Sequence, residues 1–316
     1  MPLSIRKLIE PTLNLTRFYY NYYVSMPAFP KNVNLSTSSA CQAKCIFCPP
    51  QRGKNIVPNH MPFKLAAKIF DELATHDFRG HINPGENGEA VLNPHFIKIF
   101  EYMHSKLPNI TSQLISNMNR FDESIAMRTL EIGFNEMHFN IDGASKYTYE
   151  YVKGLSFETM KHNVTTFFKI RDKLGSKCKV NINIVTAAKY LKAISKENAD
   201  IPDDAEQIIS YWKPFLRDGD EIREQRPFLW AKRDELKIPN RIGCALLSRV
   251  VNELFVAPNG DCYVCCLDDN AKITFGNLNK SSINEVWHSR KRYLILKHLY
   301  LKQFRSLGEP CSICLY

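Results

Sequence analysis

Three cysteines, Cys41, Cys45 and Cys48, spaced C-x3-C-x2-C, constrain this chain more than any other feature. They follow a strand-like run, Asn32-Val33-Asn34-Leu35-Ser36-Thr37. Thiolate is a soft ligand suited to zinc and to iron–sulfur clusters. A structural zinc site closes with four protein ligands, and a four-iron cube likewise has four irons to hold. Three cysteines with no fourth nearby leave one corner open, and an open iron can bind a substrate or cofactor. A zinc knuckle, or three unrelated buried thiols, would show the same spacing.

The segments that follow alternate. Strands are expected near 32–37, 79–83, 110–116, 136–142, 179–186 and 221–225, and helices near 63–76, 95–106, 122–132, 156–174 and 203–215. Leu65, Ile69, Phe70 and Leu73 give the first helix its period, and Ser156 is a candidate cap of another. Repeated strand–helix units imply a parallel sheet; six of them make a partial (β/α)6 barrel with its site at the C-terminal strand ends. Parallel strands are normally apolar on both faces. Here His138, Asn140 and Asp142 alternate with apolar residues, as do Asn181 and Asn183. Buried amides need partners, which a polar cofactor inside the barrel supplies; half-exposed strands are the other reading.

The Cys41–Cys48 triplet, with Phe47 before its last cysteine, resembles the signature of radical S-adenosylmethionine (SAM) enzymes. The resemblance implies a [4Fe-4S] cluster on Cys41, Cys45 and Cys48, whose fourth iron chelates SAM. One electron then yields a 5′-deoxyadenosyl radical that abstracts a substrate hydrogen. Phe47 would present its backbone to the adenine. Asn87-Gly88-Glu89 is similar to the family's Gly-Gly-Glu, which meets the SAM amino group, with the first glycine replaced. Val91-Leu92-Asn93-Pro94-His95 is also family-like. Ile115-Ser116-Asn117 stands where relatives have Thr-Asn-Gly, and Asn140-Ile141-Asp142-Gly143 resembles Ser-Leu-Asp-Gly, whose polar residue contacts ribose. Asn183 joins this cofactor-binding set.

Beyond residue 240 the pattern changes. Cys244 precedes a strand-like run, Val250–Val256; Pro258-Asn259-Gly260 signals a hairpin; then come Cys262, Cys265, Cys266 and, near the end, Cys311 and Cys314. This region resembles the SPASM/twitch extension of radical SAM enzymes, also through Gly276-Asn277-Leu278 and Ile283-x3-Trp287. The resemblance implies an auxiliary [4Fe-4S] cluster on Cys244, Cys265, Cys311 and Cys314. Cys262 is a rival ligand to Cys265, and Cys266 a weaker one. Strand alternation turns Cys265 away from Cys262 and Cys266. A zinc hairpin with the same four thiolates would look similar. Cys178 reads as a small buried residue.

The fold class is therefore α/β: a partial (β/α)6 barrel followed by a small β-hairpin/helix Fe–S module. The expected domains are 1–31, an aromatic-rich extension packed on the barrel; 32–240, the barrel; and 241–316, the auxiliary module. A chain of 316 residues with its cysteines in tight groups is not a small disulfide scaffold. No apolar run is long enough for a membrane span, and the start does not read as a secretory signal. Air-sensitive clusters point to the cytoplasm. Net charge is +10, and a cysteine-rich zinc protein binding nucleic acid would use such charge; no basic stripe with aromatic platforms supports it, and no nucleic-acid partner is expected.

The layout with one auxiliary cluster is similar to that of the butirosin-pathway amino-cyclitol dehydrogenase. It implies a two-electron oxidation of a small polyol or amino sugar, with the auxiliary cluster accepting an electron. A radical SAM maturase acting on a ribosomally made peptide is the alternative. Arg223, Arg226 and Trp230 are the candidate substrate contacts, and a flavodoxin or ferredoxin the expected electron donor. Tyr147 and Tyr149 are candidate radical relays or packing residues.

Overall fold

The computed structural model describes residues 3–48, 59–193, 201–225 and 243–314. The chain divides into two compact units, Asn34–Trp230 and Met1–Val33 with Ala231–Tyr316. It opens with helix α1 (Leu3–Tyr20), which runs into a π-helical turn over Asn21–Ser25.

Strands β1 (Asn32–Leu35), β2 (His81–Asn83), β3 (Thr111–Ser116), β4 (Glu136–Asn140), β5 (Lys179–Ile184) and β6 (Glu221–Glu224) stand side by side in chain order. The pairs from β2 to β6 are parallel. Between strands run α2 (Phe63–Thr75), α3 (Phe96–Lys106), α4 (Glu123–Ile132), α5 (Lys146–Lys153), α6 (Phe157–Lys173), α7 (Ala187–Ala193) and α8 (Ala205–Trp212). This is the expected partial barrel. Each helix forms because one stripe is apolar: α2 buries Leu65, Ala66, Ile69, Phe70 and Leu73. Asp122 and Ser156 cap α4 and α6 by accepting from Ile125 N and Thr159 N.

The polar strand faces are inside. His138 pairs in register with Asn181, and Asn140 with Asn183. His138, Asn181 and Asn183 are buried, which excludes the half-exposed reading.

Two helices of the barrel escape the sequence expectation, α5 and α7. The α5 run Lys146-Tyr147-Thr148-Tyr149-Glu150-Tyr151 is rich in strand-forming residues. Its helix is fixed instead by a capping box on Ser145 and Thr148, by Gly154 at φ 62°, and by burial of Tyr149 and Val152. Gly143 precedes it, and a Cβ there would lie 2.3 Å from Tyr149 N.

In the second unit, Val250–Asn252 is not strand. It ends helix α9 (Leu247–Asn252), and only then does β7 (Glu253–Val256) begin. Buried Arg292 donates to Val250 O at 3.3 Å and Val251 O at 3.0 Å, satisfying carbonyls that a helix end leaves bare. β7, β8 (Asp261–Tyr263) and β9 (Thr274–Asn277) form an antiparallel sheet. Gly260, at φ 86°, closes the predicted turn. Helices α10 (Ile283–Trp287) and α11 (Arg290–Tyr300) follow. A Cβ on Gly276 would meet Val286 Cγ2 at 2.6 Å, which explains glycine in that motif.

The sequence reading puts residues 1–31 on the barrel. The contacts found are with the C-terminal module: buried Phe18 meets the Tyr293 and Tyr300 rings at 5.3 and 5.5 Å, and Trp287 Nε1 donates to Pro27 O at 2.9 Å. Among the described residues no helix is long and apolar enough to cross a membrane.

One buried charge pair ties α6 to β5 and to the turn that leads into β6. Arg171 Nη1 donates to both Asp220 oxygens at 2.9 and 2.8 Å, and Asp220 also accepts from Val180 N at 2.8 Å. Removing one partner of such a pair leaves an uncompensated buried charge. Asp220→Ala is expected to lower stability by about 3–5 kcal/mol, read as a shift in the urea midpoint.

Candidate active site

The cysteine loop hangs from the end of α5. Lys44 N donates to Lys153 O at 2.8 Å and Ile46 N to Val152 O at 3.0 Å. Gly154 sits against Lys44, with a Cβ position 3.3 Å from Lys44 Cβ. Below the loop, Lys153 Nζ lies 2.5 Å from Asp142 Oδ2, and both side chains are buried. Lys153 also bonds the Cys45 thiol and sits 5.4 Å from the Phe47 ring centroid. Burial alone would lower the Lys153 pKa; the Asp142 charge outweighs it and holds the ammonium protonated.

At the C-terminal strand ends is a cavity of ≈ 260 Å³, lined by Cys41, Cys45, Cys48, Phe47, Gly88, Glu89, Ser116, Asn117, Asn140, Asp142 and Asn183. It therefore gathers the expected cluster cysteines and every expected cofactor residue except Asn87, which is buried but does not line it. Arg223 is not in the lining either; it is half exposed on β6, with Nε 2.6 Å from Glu221 Oε2. Arg226 and Trp230 lie outside the described residues. Glu86, Lys153 and Gln225 line the cavity and were not read from the sequence. A buried lysine just before Gly154 carries a signal only once α5 is known to reach the loop.

Why Gly88 must be glycine is geometric. It has φ +79°, and a Cβ would fall 2.2 Å from Ser38 O and 2.9 Å from Ala40 O. Next to it, Glu89 N donates to Ala40 O at 2.8 Å, and Glu89 Oε2 accepts from Asn117 N at 2.9 Å. Asn117 reaches onward, with Nδ2 3.8 Å from Cys41 Sγ and Oδ1 accepting from Gln42 Nε2 at 2.9 Å.

The cavity carries acceptors without donors. Glu89 Oε1 and Asn183 Oδ1 are buried and have no hydrogen-bond partner. Burial pushes the Glu89 carboxyl up to about 7. A buried carboxylate with an unused oxygen suits an ammonium, and an unused amide oxygen suits a hydroxyl or amino donor. Burial, and then the Glu89 charge, also pushes the Cys41 thiol up to about 12, so metal binding there must release a proton. Three thiols, an acceptor for an amino group and polar strand ends fit a cluster with SAM.

A second thiol group lies in the C-terminal unit. Cys244, Cys265, Cys311 and Cys314 line one small cavity of ≈ 20 Å³, with Val250, Val264 and Leu299 around them. Burial and the neighbouring thiols Cys266, Cys311 and Cys244 raise the Cys265 pKa well above its usual value. Cys262 is wholly buried on β8, away from this lining, with Sγ 4.0 Å from Gly260 O. Cys266 Sγ is 3.0 Å from Arg249 Nη1. β8 ends at Tyr263, so Cys265 sits in the turn beyond it and strand alternation does not govern its direction. None of the ten cysteines is in a disulfide. Among the described residues, no three Cys, His, Asp or Glu side chains are closed around a single ion position.

Comparison with known proteins matches residues 35–186 to the radical SAM superfamily and residues 244–315 to SPASM, an iron–sulfur cluster-binding domain. No curated protein matches by sequence. Among solved structures, BtrN in complex with AdoMet and 2-DOIA is 16% identical, with TM-score 0.57, covering 89% of this chain and 92% of that one. Streptococcus suis SuiB bound to precursor peptide SuiA is 14% identical, with TM-score 0.57, covering 92% and 71%. The enzyme anSMEcpe with bound AdoMet is 15% identical, with TM-score 0.54, covering 85% and 83%. At these identities the likeness is one of fold. The sequence comparison, independently of that likeness, places a radical SAM domain at residues 35–186 and a SPASM domain at residues 244–315 of this chain.

Proposed function

We propose that this radical SAM protein oxidises a small polyol or amino-sugar substrate by two electrons, with its auxiliary cluster accepting one of them. The observation that carries the reading is the set of four thiols, Cys244, Cys265, Cys311 and Cys314, around one cavity. The polar barrel interior supports it, as does the likeness to BtrN, crystallised with 2-DOIA. SuiB bound to SuiA and anSMEcpe bound to a peptide favour a second reading, a peptide maturase.

The radical SAM and SPASM domains imply a SAM-binding [4Fe-4S] cluster and auxiliary iron–sulfur ligation. Cys41, Cys45 and Cys48 would hold the first, and Cys244, Cys265, Cys311 and Cys314 would hold the auxiliary cluster. When bound, the first cluster and SAM supply a carbon radical that takes a hydrogen atom from an unactivated C–H bond. The chain's own residues bind and orient. Glu89 would receive an ammonium group on its unused oxygen. Asn140 and Asn183 present amides to hydroxyls, and Asn117 steers Cys41. Burial raises the Cys45 pKa, and the positive charge of Lys153 beside it offsets part of that rise. The buried walls keep water from the radical. An external donor of the flavodoxin or ferredoxin type supplies the electron.

Oxygen-free, reduced protein is expected to convert SAM to 5′-deoxyadenosine. Replacing Cys41, Cys45 and Cys48 by alanine should reduce this at least about a hundredfold, measured by chromatography. Cys311→Ala with Cys314→Ala should remove about half the bound iron yet leave SAM cleavage measurable. Glu89→Gln should raise the SAM concentration for half-maximal cleavage roughly tenfold, through loss of a charge-assisted hydrogen bond. Mass spectrometry of a C–H-deuterated amino-cyclitol after turnover tests the reaction itself. Deuterium in 5′-deoxyadenosine together with a ketone product supports it. Deuterium transfer only from a peptide establishes the maturase reading.

A further inference from the structure

One face of the N-terminal and C-terminal helices takes no part in the chemistry above. Phe18 turns inward from α1 onto α11. The other side of α1 and its π-helical turn carries Leu13, Tyr20, Tyr23 and Val24, which are 59%, 61%, 70% and 67% exposed. Leu13 and Tyr20 stand seven residues apart, on one stripe of the helix. Tyr19 and, on α11, Leu294 are exposed as well. Six of the ten large apolar side chains exposed among the described residues thus belong to α1, its π-helical turn and α11, so the pattern is a patch and not the usual scatter.

The same segments hold the chain's charge. Residues 10–33 and 288–308 contain eight Lys or Arg and a single acidic residue, Glu10, in a chain whose whole excess is +10. Glu10 is itself paired with Lys302. Arg17, Arg290, Lys291 and Arg305 are exposed, and none of them has a carboxylate partner among the described residues.

Tyrosines, short aliphatic side chains and unpaired cations together fit one environment. A basic amphipathic helix lies in the plane of a membrane interface, where tyrosine keeps its ring in apolar material and its hydroxyl in water. Lysine and arginine add attraction to anionic headgroups. A nucleic acid would use the cations and leave Leu13 and Val24 in water. A second copy of the chain would cover the apolar residues but bring like charges together. We propose that α1, its π-helical turn and α11 dock this protein on an anionic lipid bilayer, lying on the surface without spanning it.

Flotation of the full-length holoprotein with lipid vesicles tests this. The protein should float with phosphatidylcholine vesicles containing roughly 30% phosphatidylglycerol and stay behind with phosphatidylcholine alone, at least about a tenfold difference in partition. Salt of about 0.5 M should remove most of the binding. The variant L13S/Y20S/Y23S/V24S and the charge reversal R17E/R290E/K291E should each lower partition about tenfold or more while leaving 5′-deoxyadenosine formation unchanged. If the serine variant does not fold, the charge-reversal variant decides. Absence of flotation, equal flotation with neutral vesicles, or variants that float like the parent would overturn the proposal. So would a lipid-independent dimer in sedimentation that the serine variant abolishes, which would give the face to a second copy.

Discussion

The buried pair between Lys153 and Asp142 is the interaction on which the site rests. Asp142, just past the end of β4, accepts from Val185 N, at the exit of β5, on Oδ1 at 2.7 Å; its other oxygen meets Lys153 at 2.5 Å. The backbone of that same lysine receives the cysteine loop. One carboxylate thereby joins two barrel strands, α5 and the loop. A buried ion pair adds little net stability compared with apolar packing, but losing one member is costly. Its value here is placement. An irregular loop carrying three thiols needs its backbone groups satisfied, and α5 supplies acceptors at Val152 and Lys153.

Much of this was legible in the sequence, and the reasons are particular. The Cys41–Cys48 spacing marks its own chemistry. The alternation through His138 and Asn140, and through Asn181 and Asn183, betrays a polar interior, because parallel strands rarely carry amides unless something inside uses them. Strand and helix positions followed from plain periodicity. What stayed hidden depends on contacts distant in the chain. Lys153 looks like any surface lysine until β4 brings Asp142 beneath it. α5 is made of residues that favour strands, and its helix comes from capping and from Tyr149 in the core. The end of α9 is fixed by Arg292, some forty residues away. Cys262 could not be separated from Cys265 by alternation, because β8 stops before Cys265.

The C-terminal unit shows the same economy on a smaller scale. A short hairpin, a third strand and two helices bring four thiols to one small cavity with apolar walls. Burial and the neighbouring thiols hold the proton on Cys265, so metal binding there must displace it. Gly276 allows α10 to press on the sheet through Val286, and Arg292, stacked 3.5 Å from the Trp287 ring centroid, binds the helices to each other.

Two left-handed positions in the barrel set opposite demands on their side chains. At Gly88 the missing Cβ is the point, since two carbonyl oxygens occupy its place; every other amino acid there would have to move the backbone that also supports Glu89. Met118 has φ 64°, directly after Asn117, yet its side chain is accommodated in the core with no exposure. A left-handed backbone after Asn117 is thus compatible with a side chain that the core takes up. Asn87, one residue before Gly88, needs no left-handed backbone. The residue immediately before Glu89 has no such latitude.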